Sequence, residues 1–233
     1  VGQSLFGSTY YLFKGLIQDA GINVHFVDPT QVEAFKDKLS DKTRLLFVES
    51  IGNPKLDVPN LEVLSQLAES QNIPLVVDST FTTPYLCEAK SLGVHIVLYA
   101  TTKYIAGGGT SIGGAVVDTG LMDWKQFKGS QLKSNKAYGK LAFLAALRKV
   151  RANAGSSQAP FNAYLTALGL DTLVLRMKQH CSSALALAQF FNSHSSIEHV
   201  NYPGLDTHQQ YKHAAKQFNH CLLYTSDAAD DLL

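Results

Sequence analysis

The apolar positions of this chain alternate between two rhythms. In TYYLFKGLIQDA (9–20) they recur at helical spacing and stop at Gly21, the residue type that most easily adopts the left-handed backbone closing a helix. INVHFVD (22–28) alternates apolar and polar residues and predicts a strand. Thr30 predicts an N-cap for a short helix over VEAFKDKL (32–39), and RLLFVES (44–50) is a mostly apolar run of buried-strand length. A turn-rich loop, IGNPKLDVPN, follows; Asn60 then predicts the cap of a helix over LEVLSQLAES, and Pro74 opens the strand LVVD (75–78). GVHIVLYA supplies a further strand-length run. Nearly all-apolar strands separated by helices predict an α/β fold, a mostly parallel sheet covered on both faces. In such sheets chemistry sits at the carboxyl ends of the strands.

Beyond this core the pattern loosens. IGGAVVD (112–118) reads as one more strand, and DWKQFKGSQLKSNKAYGK (123–140) as a polar insertion or surface loop. LAFLAALRKVRANA is helical, GSSQAP breaks it, and residues 161–194 form a long, largely helical stretch that the pattern predicts to be interrupted near Gly169. IEHVNYPG (197–204) reads as a strand and QQYKHAAKQF as a helix. Long helices leaving an α/β core often lead to a second domain, so the expected division is a large domain over 1–180 and the start of a smaller α+β domain over 181–224. Residues 225–233, TSDAADDLL, carry no periodicity and read as a non-native or disordered tail, and both ends read as those of a fragment.

Composition narrows the function classes. With 45% hydrophobic and 17% charged residues over 233 positions, the chain has ample material for a large core. Twenty basic against 19 acidic residues leave a charge of +1, which gives no basic field for nucleic acid or an anionic membrane surface. Cys87, Cys181 and Cys221, odd in number and widely spaced, make neither a disulfide framework nor a zinc signature. A cytoplasmic location is expected. None of the eight histidines forms an H-x-x-x-H or H-E-x-x-H pair, so no metal site is expected.

The chemistry concentrates in 74–114. Asp78 ends one apolar run, and Lys103, 25 residues later, follows the next, with Thr101 and Thr102 before it and Gly107, Gly108, Gly109, Gly113 and Gly114 after it. This spacing sets an acid and an amine on neighbouring strand ends. A turn-capping Asp beside a solvated lysine would give the same pattern. GGGTSIGG matches neither a dinucleotide fingerprint nor a P-loop, since its lysine precedes the glycines. The cofactor that needs both groups is pyridoxal phosphate. Its aldehyde condenses with a lysine, and a carboxylate keeps its ring nitrogen protonated so that the ring accepts electrons.

VESIGNPKLDVPNLE, VVDSTFTTPYL, TTKYIAGGGTSIGG, APFNAYLTALGLDTLVLRM and VNYPGL, in that order, resemble the Cys/Met-metabolism family of pyridoxal-phosphate enzymes over nearly all of residues 2–222. ESIGNP, GTSIGG, MDW and APFNA point within it to the O-acetylhomoserine sulfhydrylase branch. The resemblance implies an aspartate-aminotransferase-like, fold type I architecture. It also implies a homo-oligomer (dimer or tetramer) of the intact protein. Lys103 would hold the cofactor and shuttle protons, Asp78 would pair with its ring nitrogen, Asn53 with its 3′ oxygen, Thr102 with its phosphate, and Phe6 would stack on the ring. The implied reaction replaces the γ-acetate of O-acetyl-L-homoserine with sulfide or a thiol. Methionine γ-lyase, cystathionine γ-synthase and O-succinylhomoserine sulfhydrylase chemistry are the alternatives within the family, and an inactive fragment is another. Four positions depart from the family pattern: Phe6 stands where tyrosine is usual, Ala100 where serine is usual, Ser79 where asparagine is common and Gly108 where histidine is common.

Overall fold

The computed structural model describes residues 1–218 and shows the expected α/β architecture. Its sheet runs β1 (Leu46–Glu49), β2 (Leu75–Asp78), β3 (Ile96–Ala100), β4 (Gly114–Asp118), in that spatial order. The first three strands are parallel and β4 is antiparallel to β3. Their register sets Glu49 opposite Asp78, and Asp78 opposite Leu98. The acidic ends of β1 and β2 are therefore neighbours.

Alternation along these strands feeds two cores. Leu46, Val48, Leu75, Val77 and Val97 point to one face, with Leu61, Leu64 and Ala68 of α3 (Leu61–Ser70). Phe47, Val76 and Ile96 point to the other, with Leu5, Met122, Trp124 and Phe127. Burying each large aliphatic side chain contributes about 2 kcal/mol, so both faces hold the sheet between its covering layers. Asn60 caps α3 as its sequence predicts, accepting from the Val63 amide at 3.2 Å. Beneath that cap the buried Gln217 accepts from Leu61 N (2.6 Å) and donates to Pro59 O (2.9 Å), which ties α7 (Tyr211–Gln217) to the start of α3.

Several local expectations are corrected. Residues 22–28 form no strand; among the described residues they pair at Val27, bridged in parallel to Gly2. Thr30 does not cap α2 (Val32–Lys36), whose N-cap is Gln31; its amide and hydroxyl turn back onto Asp28 Oδ1 instead. Residues 123–140 are not merely a surface loop. Trp124, Phe127 and Leu132 are buried under the sheet, Trp124 donates to Asp118 Oδ2 (3.1 Å), and its ring stacks on Phe143 of α5 (Ala142–Ala154).

The long helix α6 (Pro160–Ser193) is unbroken at Gly169. Glycine serves there for contact rather than for interruption, since a Cβ would lie 2.3 Å from the Ile105 carbonyl. Residue 180, the expected domain boundary, falls inside α6, and Ala184 and Ala188 share the first core with Tyr202, Leu205, Ala214 and Phe218. Residues 197–204 form no strand; no other strand lies alongside them among the described residues. Cys221 and the expected tail at 225–233 lie outside the described residues.

Candidate active site

Asp78 closes β2, and Lys103 lies three residues past the end of β3. One hydroxyl joins the two strand ends. Thr80 donates to Asp78 through its amide (2.9 Å) and its Oγ1 (2.6 Å), and the same Oγ1 accepts from Ala100 N at 2.8 Å. Both bonds to the carboxylate fall on Oδ1; among the described residues Oδ2 receives none. Burial holds the Asp78 carboxyl above the usual carboxylate range, and the Thr80 bonds oppose that rise.

The half-buried Lys103 sits in a tight turn: its amide donates to Ala100 O (3.2 Å) and its carbonyl accepts from Gly107 N (3.0 Å). That turn is held from outside by α6. Arg176 donates to Tyr104 O (2.6 Å) and Gly169 O (2.6 Å), and its Nε donates to Thr172 Oγ1 (3.0 Å). A guanidinium with several donors in a fixed fork suits this task, because turn carbonyls would otherwise lack partners. Gly107, at φ +75°, is the second close approach; a Cβ there would meet the Arg176 guanidinium at 2.4 Å.

Thr102 stands beside Lys103, and its Oγ1 accepts from Gly113 N at 3.0 Å. Gln158 braces the same glycine loop, donating to Ser111 Oγ (3.0 Å) and Ile112 O (3.2 Å). Thr101 Oγ1 is buried against Gly113 without a hydrogen-bond partner among the described residues.

Asn53 and Phe6 come from different segments and meet at one side chain. Glu49, buried at the end of β1, accepts from Phe6 N (2.7 Å, Oε1) and from Asn53 N (3.1 Å, Oε2). Burial pushes its carboxyl up to about 8, the bond from Phe6 opposes this, and the neighbouring Asp78 charge adds to it. The Asn53 side-chain amide makes no hydrogen bond among the described residues, and the Phe6 ring lies against no other ring there. All five residues singled out in the sequence thus lie along the carboxyl edge of β1, β2 and β3.

Three further contributors escape a reading of the chain by motif. Glu49 carries the plainest signal, since it ends RLLFVE as Asp78 ends PLVVD. Arg176 is a lone charge in the apolar LVLRM. Thr80 has no sequence signal beyond its place two residues after Asp78.

Known proteins resemble this chain in sequence and in fold. The family model for Cys/Met metabolism PLP-dependent enzymes matches residues 1–228. The O-acetyl-L-homoserine sulfhydrylase of Leptospira meyeri is 38% identical over 232 residues, covering 91% of this chain and 52% of that protein. A solved O-acetylhomoserine sulfhydrylase of Wolinella succinogenes superposes with a TM-score of 0.86 at 43% identity, covering 94% of this chain and 62% of that one. A putative O-acetylhomoserine (thiol)-lyase of Campylobacter jejuni, solved with N′-pyridoxyl-lysine-5′-monophosphate, gives a TM-score of 0.86 at 26% identity, covering 95% of this chain and 58% of that one. Cystathionine beta-lyase and L-methionine gamma-lyase are among the further relatives. The chain spans about half the length of the curated relatives it matches. Among the described residues no helix is long and apolar enough to cross a membrane. The acid that ends β2, the lysine in the turn after the neighbouring parallel strand, the glycine loop that follows and a family match over nearly the whole chain converge: this protein belongs to the Cys/Met metabolism family of PLP-dependent enzymes.

Proposed function

We propose that the intact protein is a cytoplasmic homo-oligomeric transferase that converts O-acetyl-L-homoserine and sulfide, or a thiol, into homocysteine, or the matching thioether, and acetate. The observation that carries this reading is the neighbouring ends of β2 and β3, which Thr80 joins by bonding Asp78 and the Ala100 amide, with Lys103 three residues beyond. The likeness to O-acetylhomoserine sulfhydrylases supports the choice of substrate.

The residues present fit pyridoxal phosphate. Asp78 Oδ2 and the Asn53 side-chain amide accept or donate no hydrogen bond among the described residues and no other described ring lies against Phe6, and each is of the type that a protonated ring nitrogen, a phenolic oxygen and a ring face require. When bound, the cofactor supplies an electron-accepting ring joined to the substrate's amino group. Asp78 would keep the proton on the ring nitrogen. Thr102 would hold the phosphate, Asn53 the 3′ oxygen, and Phe6 would cover one face. Lys103 Nζ takes the proton from the substrate's α carbon and then moves one from the β carbon, so that acetate leaves the γ carbon. Sulfide bonds there, and Lys103 returns the protons. Phe6 carries no hydroxyl, so proton transfer falls to Lys103.

Feeding the full-length protein O-acetyl-L-homoserine and sulfide should release acetate and homocysteine in equal amounts. Release of 2-oxobutyrate from methionine, with no acetate from the ester, would overturn the transferase reading in favour of a lyase.

A further inference from the structure

Glu49 lies outside every role assigned above, yet it touches the two segments that bring Phe6 and Asn53 to the site. Its carboxyl oxygens accept one backbone amide each, Phe6 N at 2.7 Å and Asn53 N at 3.1 Å, and the residues so joined are 43 and four positions away in the chain. It stands directly opposite Asp78 in the parallel register of β1 and β2. The segments are also in contact away from the ring: a Cβ on Gly52 would lie 2.7 Å from Ser4 Cβ, and Ser4 Oγ donates to Asp57 Oδ2. Ser4 is thus a second tie between the same two segments, and it reaches neither amide.

We propose that Glu49 is a positioning residue for the cofactor: its carboxyl group fixes the Phe6 segment and the Asn53 loop at one separation across the end of β1, and thereby sets the slot in which the ring lies. This rests on reading the strand ends as a pyridoxal phosphate site. The requirement for a carboxyl group is chemical. Two inward-facing N–H donors need two acceptor oxygens, and a carboxyl oxygen keeps an acceptor lone pair whether or not the group is protonated. In Glu49→Gln the side-chain NH₂ must face one of those N–H groups, donor against donor, so one segment is released while size and fold are kept.

The test is a titration of the full chain with pyridoxal phosphate, followed by the visible circular dichroism of the bound cofactor and by thermal melting of the cofactor-free protein. Glu49→Gln should weaken cofactor binding about tenfold, corresponding to about 1.4 kcal/mol, and alter the visible dichroic band. Ser4→Ala should lower the melting temperature while leaving affinity within about twofold and the band unchanged. Glu49→Asp, which keeps both oxygens but withdraws them by one methylene, should resemble Glu49→Gln and serves if the latter fails to fold. Wild-type affinity with an unchanged band in the Glu49 variants would overturn the proposal. So would equal losses of affinity in Ser4→Ala and Glu49→Gln that track their melting temperatures, since a purely structural tie would behave so. If wild-type protein takes up no cofactor, the site reading itself fails; if it binds and the Glu49 variants bind equally well, only the positioning role fails.

Discussion

The two halves of the candidate site are built by different means. Asp78 and Lys103 stand at the ends of β2 and β3, where a parallel ladder fixes register over several residues before the functional groups are reached. The Phe6 and Asn53 half hangs on loops that no ladder joins at those residues, and one buried carboxyl group holds both amides. The contrast shows where errors are tolerated. A ladder distributes the task of positioning over many hydrogen bonds, whereas a single side chain concentrates it.

Four perturbations separate the halves, from the largest expected effect to the smallest. Lys103→Ala should reduce turnover of O-acetyl-L-homoserine by about 10⁴-fold, the upper range for loss of a positioned acid–base group, in a steady-state assay of acetate release. A residual rate within tenfold of wild type would remove the lysine from the chemistry.

The loop half should respond to pH. The folded Glu49 holds its proton up to about 8 against an ordinary value of 4.5, so the stabilisation that comes with its protonation is full below about pH 4.5 and is lost as the pH rises through about 8. Its share is on the order of 5 kcal/mol, because each tenfold change in proton affinity corresponds to about 1.4 kcal/mol. Urea unfolding of cofactor-free protein between pH 4.5 and 9 should therefore show a steeper decline for wild type than for Glu49→Gln. Parallel pH curves would show that Glu49 is not the group responsible.

On the strand half, Gly169→Ala places a methyl group 2.3 Å from the Ile105 carbonyl and must push α6 away from the Lys103 turn. A destabilisation of about 2–3 kcal/mol is expected in denaturant unfolding, in the range of overpacked cores. Thr80→Val keeps the shape but removes the hydroxyl shared by Asp78 and Ala100 N, and should cost about 1–2 kcal/mol by the same measurement. Should Thr80→Val prove the more damaging of the two, the strand half too would depend on one side chain.

The contrast also explains what could be read from the chain. Apolar runs of strand length located β1, β2 and β3, and the residues that end β2 and follow β3 disclosed Asp78 and Lys103, because ladder geometry is a local consequence of sequence. Residues 22–28 alternate like a strand, but alternation does not specify a pairing partner, and among the described residues they pair at Val27 alone. Residues 123–140 look polar on average, yet three of them, Trp124, Phe127 and Leu132, cover a sheet face, and average polarity hides sparse large apolar anchors. Gly169 signalled a break by composition and instead marks a close contact that only the folded chain reveals. Glu49 and Arg176 act through backbone groups 43 and 72 residues away, a distance over which no local pattern reports.

The most direct test is to treat the full-length protein with pyridoxal phosphate, reduce it with borohydride and locate the pyridoxyl group by peptide mass spectrometry. The strand-end site predicts the label on the peptide carrying Lys103, with Asp78→Asn retaining the label but losing turnover. A label on any other lysine, or none, would contradict it.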